Sequence, residues 1–207
     1  MKIKLQFGEL NITPSVAQRI EDLGFDPQYF AEEVDAHKSD CDGNPSVYIG
    51  TWAKYNNGDL TGLWIDLTTF EDYDLFISFC KALHADECDP ELDAQDWERL
   101  PSGLKGDDLL FEDKFEQLME YNKLGILYDF DAVEAFVGCF DLNQLSEFED
   151  RYCGKFDSEL DYAYHIIDEC YDLDKIMGHL SFYFDYRKFA DDLFMDYAFE
   201  DGYVFRS

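Results

Sequence analysis

Positive charge is what this sequence has least of. Its 207 residues hold 16 Lys and Arg against 47 Asp and Glu, a formal net charge of −31. That balance argues against binding to nucleic acid or to anionic membranes, both of which need a cationic face. Long apolar runs are missing too. No stretch approaches the ~18 residues of a membrane span, and the opening MKIKLQFGELN has too short an apolar run for a signal peptide. Six cysteines (Cys41, Cys80, Cys88, Cys139, Cys153 and Cys170) are scattered without a C-x-x-C pair. These absences predict a soluble protein of the reducing cytoplasm. There is no P-loop and no G-x-G-x-x-G, and His37, His84, His165 and His179 have no recognisable nucleophile beside them.

What is present is a core. Hydrophobic residues make up 46% and aromatics 17%, too much apolar material for a disordered chain. The charge is spread along it. Residues 1–45 carry 9 acidic and 4 basic residues (net −5), residues 46–146 carry 22 and 6 (net −16), and residues 147–207 carry 16 and 6 (net −10). The acids interleave with core-type residues, as in FEDYDLFISF at 70–79, so each element has an apolar face and an acidic face.

The pattern predicts an α+β fold. KIKLQF at 2–7 alternates as a short strand. Thr13 before Pro14 opens a helix that stops at Gly24, and Asp26 before Pro27 opens another that runs to about His37. SDCDGNP at 39–45 is a linker-like break, which makes 1–45 a small separate module. Strands at 47–55 and 60–67 flank Asn57-Gly58, a hairpin signal because both residues tolerate positive φ. Thr68 and Glu71 form a capping box for a helix over 70–83. A further strand lies near 94–98, and Pro101, Gly103 and Gly106 mark a boundary. Helices are expected at 111–123, 131–140, 142–152, 159–171 (capped by Ser158) and 184–195. A hairpin around Asp201-Gly202 ends the chain.

The stretch HADECDPELDAQDWE, residues 84–98, holds seven carboxylates and no Lys or Arg. An EF-hand loop needs oxygen ligands at positions 1, 3 and 5, Gly at 6 and Glu at 12. Starting at Asp86 puts Cys88, Pro90 and Glu91 at positions 3, 5 and 6. Starting at Asp89 puts Ala94 at 6 and Leu100 at 12, so neither register works. Cys80, His84 and Cys88 would align on one helix as zinc ligands, but Pro90 and the acidic run end the helix before Cys88. Paired carboxylates for general acid–base work occur by chance at this density, and a nuclease would repel its own substrate. No catalytic residue, metal ligand or cofactor is therefore expected. A merely solvated acidic surface, as in salt adaptation, does not account for the aromatics or the cysteines.

Charge density offers another use. Duplex DNA carries one charge per ~1.7 Å of axis, so 31 charges match roughly 53 Å of duplex. Helical carboxylates three or four residues apart sit ~5–6 Å from one another and destabilise the helix. Their accumulation, in rows such as Asp161, Asp168, Asp172 and Asp191, Asp192, Asp196, favours a functional role. An acidic rod fits where a protein normally holds DNA.

Over about 46–207 the sequence resembles the ArdA antirestriction family. VYIGTWAKYNNGDLTGLWIDLTTFEDYDLFISFCKALHADECDPEL (47–92) looks like its N-terminal region. EFEDRYCGKFDSELDYAYHIIDE (147–169) and LSFYFDYRKFADDLFMDYAFEDGYVF (180–205) are similar to its C-terminal region. V-Y-I-G-T-W-x-K-Y-N, D-P-E-L and Y-F-D-Y-x-x-F-A-D-D-L occur in the family's order. The resemblance implies an elongated homodimer of small α/β and helical domains that mimics B-form DNA. Such a protein would occupy the DNA-binding groove of type I restriction–modification enzymes and protect incoming mobile genetic elements. It would need no cofactor, nucleic acid or membrane.

On this reading a module at 1–45 precedes an α/β domain at 46–105, a helical domain at 106–145 and a C-terminal α/β domain at 146–207. The acidic surface would comprise Asp72, Asp74, Asp86, Glu87, Asp89, Glu91, Asp93, Asp96, Glu98, Asp107, Asp108, Glu112, Asp113, Glu116, Asp161, Asp168, Asp172, Asp191, Asp192 and Asp196. The family's antirestriction motif, near its dimer interface, matches about Lys175–Phe189. Leu180, Phe182, Tyr183, Phe184 and Tyr186 are the expected dimer contacts, with a core role for the aromatic run as the competing reading. Residues 1–45 have no recognised counterpart. Asp93-Ala94 replaces an apolar pair that often follows D-P-E-L, and a local surface change is expected there. A metal-binding acidic protein, or a mimic aimed at another DNA-binding protein, remains the alternative.

Overall fold

The computed structural model describes residues 1–40 and 43–207. Cys41 and Asp42, within the expected linker, lie outside the described residues. The chain divides into two compact units, Met1–Lys123 and Leu124–Ser207.

The first unit begins with a hairpin of β1 (Lys2–Lys4) and β2 (Glu9–Asn11). Helix α1 (Pro14–Asp22) starts as its sequence dictates: Thr13 Oγ1 accepts the Val16 amide, Pro14 fills the first turn, and Gly24 at φ 93° follows the end. Helix α2 (Phe30–His37) follows. A three-stranded antiparallel sheet, in the order β4-β3-β5, is built from β3 (Ser46–Thr51), β4 (Leu63–Asp66) and β5 (Leu92–Glu98).

Between β3 and β4 the expected tight hairpin is replaced by a short helix, α3 (Trp52–Asn56). Gly58, at φ 73°, ends that helix; no two-residue turn forms, although a hairpin would need the same positive φ. Helix α4 (Tyr73–Leu83) is capped by Asp72, whose carboxylate accepts the Leu75 amide at 2.8 Å. Thr68 lies instead in a 3₁₀ turn capped by Asp66, so the Thr68–Glu71 capping box is not formed. Helix α5 (Glu112–Leu127) runs four residues further than its pattern suggested.

Residues from the start of the chain close this unit. Phe7 and Gly62 exchange backbone bonds and the Ser39 amide donates to the Trp64 carbonyl, so the free edge of β4 is partly paired. Phe25 and Phe30 pack edge-on to each other, Phe30 meets Phe79 at 5.9 Å, and His37 stacks on Phe70 at 4.2 Å. Phe76 stacks on Phe115 at 4.7 Å, which brings α5 onto the same cluster.

The second unit holds α6 (Phe130–Phe140), a 3₁₀ turn at Leu142–Glu147 and α7 (Phe148–Arg151). The single helix expected over 142–152 is thus broken, and its last residue enters β6 (Tyr152–Lys155). Helices α8 (Glu159–Cys170), α9 (Leu173–Met177) and α10 (Tyr186–Leu193) follow, with Ser158 capping α8 as expected. Strands β7 (Tyr197–Glu200) and β8 (Tyr203–Arg206) form the expected terminal hairpin, and the sheet order is β6-β8-β7. Asp201 and Gly202 both adopt positive φ, 48° and 87°, as a tight hairpin turn requires. The core gathers Phe136, Phe148, Tyr152 and Phe205. The fold is α+β with small antiparallel sheets. No helix among the described residues is long and apolar enough to cross a membrane.

Candidate acidic surface and aromatic face

Of the twenty carboxylates singled out, seventeen are exposed. Glu87 and Asp108 are half-buried. Asp93 is the exception: it is 8% exposed, and Ala94 beside it 4%. The pair is therefore no surface change. Asp93 pairs with Gly50, whose missing side chain leaves room, and Gln95 covers Gly50 and bonds the Asp93 carboxyl. Burial pushes that carboxyl above its ordinary pKa, the Gln95 bond opposes the shift, and the charge of Asp107 adds to it.

Among the described residues only Asp86 and Glu87 of the twenty are ion-paired, and both pair with Lys54, at 2.8 and 3.7 Å. Among the described residues no base forms an ion pair with any of the remainder. Several carboxylates have local work as well. Asp72 and Asp172 cap α4 and α9, Asp108 accepts the Lys105 amide, and Asp161 takes a bond from the Ser158 hydroxyl. The expected rows are shorter than their spacing implied. Asp172 lies beyond α8 and Asp196 beyond α10, so only Asp161 with Asp168 and Asp191 with Asp192 share a helix.

Lys54 is the residue that pattern reading missed. It is 8% exposed, and its ammonium lies 3.0 Å from His84 Nδ1. His84 is fully buried, with Nε2 3.4 Å from the Ile49 carbonyl. A neutral ring protonated at Nε2 satisfies both contacts. Burial first, and then the charge of Lys54, bring its pKa down to about 4. The only signal in the sequence was one Lys inside an aromatic stretch, WAKY. Helix α4 ends at Leu83, so Cys88 is not on it, and Cys80 is a buried thiol whose pKa burial raises. Among the described residues no three His, Cys, Asp or Glu side chains converge to hold a metal ion.

The aromatic run near the C-terminus divides. Phe182 and Tyr183 are 89% and 82% exposed, and Leu180 is exposed with them. Phe184 and Tyr186 are half-buried; Phe184 packs edge-on to Tyr186 at 4.9 Å and against Phe189 at 5.7 Å. The expected core role therefore fits Phe184 and Tyr186 but not Phe182 or Tyr183. Ile176 and Met195, 64% and 80% exposed, are further apolar residues left uncovered in this unit. An open cavity of about 720 Å³ lies among Tyr171, Asp172, Ser181, Phe182 and Tyr186.

Comparison with curated proteins finds no match. The family model for antirestriction protein (ArdA) matches residues 47–205, from β3 to the last strand and well over half the chain. The segment that carries β1, β2, α1 and α2 lies outside that match. The chain belongs to the ArdA family of antirestriction proteins.

Proposed function

We propose that the protein inhibits type I restriction–modification enzymes by occupying their DNA-binding groove as a mimic of B-form DNA. One observation carries the reading: eighteen of the twenty carboxylates have no cationic partner among the described residues, in a chain of net charge −31. Like charges destabilise the fold that holds them. A surface that keeps them unpaired suits a partner whose own surface is rich in Lys and Arg. The protein acts as a homodimer in the cytoplasm, contacts neither nucleic acid nor membrane, and has no catalytic residue. Residues 176–186 supply the dimer contact, because Ile176, Leu180, Phe182 and Tyr183 are uncovered in the protomer. An apolar contact is what two strongly acidic chains need to overcome their repulsion.

The test is a competition titration. Full-length protein is expected to displace a labelled duplex from a purified type I enzyme. The displacing affinity is expected to fall as the Debye length drops from ~8 Å at physiological salt to ~3 Å at 1 M. A ternary complex of enzyme, duplex and protein, with duplex affinity unchanged, would refute the reading. Displacement from a different DNA-binding protein but not from the type I enzyme would keep the mimicry and reassign the target.

A further inference from the structure

The loop after α4 holds four carboxylates in six residues, Asp86, Glu87, Asp89 and Glu91, yet it is anchored from two sides. On one side stands Lys54, on α3. Its ammonium bonds His84 Nδ1 at 3.0 Å and Asp86 at 2.8 Å, and Glu87 adds an ion pair at 3.7 Å. The Thr51 hydroxyl donates to Glu87 at 2.7 Å, and the Trp52 amide donates to the Glu91 carbonyl at 3.0 Å. On the other side stands Arg19, on α1, in the segment outside the family match. Its Nε–H donates to the Ala85 carbonyl at 2.6 Å.

We propose that Lys54 and Arg19 are positioning residues that hold the acidic loop 84–91 in its binding conformation, and that the segment before residue 46 serves the antirestriction surface through Arg19. This deepens the reading given above and rests on it. Lys54 is nearly buried and turned inward, so its charge offers little to a basic groove except cancellation. If charge count alone governed affinity, removing Lys54 would leave binding equal or tighter. If loop order governs it, removing Lys54 releases four like charges to splay, and their ordering must then be supplied during binding. The two accounts predict opposite signs for one substitution.

The experiment compares wild type with Lys54→Met, Arg19→Gln and Lys123→Met in two assays. One is displacement of labelled duplex from the purified type I enzyme. The other is amide hydrogen exchange over residues 84–91. Lys123 is exposed and, among the described residues, makes no hydrogen bond or ion pair with the loop, so its substitution makes the same change in charge without removing a loop anchor. Lys54→Met is expected to displace about tenfold less well, the scale of an ordering cost moved into binding, and to exchange faster over 84–91. Arg19→Gln is expected to change both in the same direction, and Lys123→Met neither. Equal or tighter displacement by a folded Lys54→Met protein overturns the proposal. If Lys54→Met fails to fold, unchanged displacement and exchange in Arg19→Gln overturn it. If wild type itself does not displace the duplex, the functional reading has failed. Exchange over 84–91 then decides the proposal: unchanged rates in both variants overturn it, and faster rates support the holding of the loop by Lys54 and Arg19.

Discussion

The exposed half of the aromatic run gives the sharpest quantitative expectation. Phe182 is 89% exposed and lies within the region read as the dimer contact. Burying a Phe side chain contributes ~1.5–3 kcal/mol. In a two-fold interface each such contact occurs twice, so the pair is worth roughly 3–6 kcal/mol to the dimer. At ~1.4 kcal/mol per factor of ten, Phe182→Asp should raise the dimer dissociation constant by about a hundredfold to ten-thousandfold. It also adds one more negative charge to each acidic partner. The protomer should hardly notice, because exposed substitutions usually fall within ~0.5 kcal/mol.

Phe184→Asp makes the contrast. That ring is half-buried against Tyr186 and Phe189, so a carboxylate there loses packing and is partly desolvated. Sedimentation equilibrium over a range of protein concentrations measures the first effect, and thermal unfolding measures the second. The expected pattern is a monomeric Phe182→Asp protein that melts like wild type diluted to its monomer, and a Phe184→Asp protein that melts earlier than that. A Phe182→Asp variant that still dimerises like wild type would refute the assignment of the interface. One that melts as early as Phe184→Asp would refute the separation of roles.

Two other expectations concern titration and charge. His84 has a folded pKa of about 4 against an ordinary 6.5, so between those values the unfolded chain takes up a proton that the folded ring refuses. Its contribution is complete above pH 6.5 and is lost as pH falls to about 4, a total of about 3 kcal/mol. Denaturant midpoints at pH 7.5 and pH 5 should therefore separate more in wild type than in His84→Gln, and equal separations would count against the buried neutral ring. Asp89→Asn, which removes one exposed carboxylate with no ion pair, should weaken duplex displacement less than about tenfold. Neutralising the carboxylates of 86–98 together should do far more, and a single substitution that abolishes inhibition would point to chemistry instead of a summed field.

Sequence reading served best where one residue type has one physical use. Thr13-Pro14 and Gly24 bracket α1 because a cap, a fixed φ and a positive φ are each needed once. Asp201-Gly202 turns the last hairpin for the same reason. It failed where two structures ask for the same residue. Gly58 provides the positive φ that either a hairpin or a helix end requires, and the local pattern did not choose between them. Asp72, not Thr68, caps α4, since both types cap well and the chain offers both. Exposure of the carboxylates was legible because free charges stay in water. Asp93 was not, because its burial depends on the cross-strand neighbour Gly50 and on a register shift in β5, neither visible along the chain. Lys54 was hidden for a similar reason: its partners at His84, Asp86 and Glu87 lie thirty or more residues away.

The placement of opposite charge explains how so acidic a chain folds without blunting its surface. Asp66, Asp72, Asp129, Asp141, Asp172 and Asp185 each cap a helical segment, where a carboxylate accepts an amide bond and meets the positive end of the helix dipole. Such a contact favours the negative charge by about 0.3–1 kcal/mol without using a cation. The cations that do bond closely often point inward or along the backbone: Lys54 to its buried cluster, Arg19 to the Ala85 carbonyl, Arg99 to the Gly43 carbonyl. The aromatic clusters around Phe79 and Phe148 then supply the cohesion that self-repulsion opposes. A protein selected only for solubility would gain by pairing its surface acids with surface bases. Here stabilisation comes from caps, buried cations and aromatic packing, and of the seventeen exposed carboxylates singled out only Asp86 is ion-paired among the described residues. That division is what the proposed presentation of negative charge to a cationic groove requires.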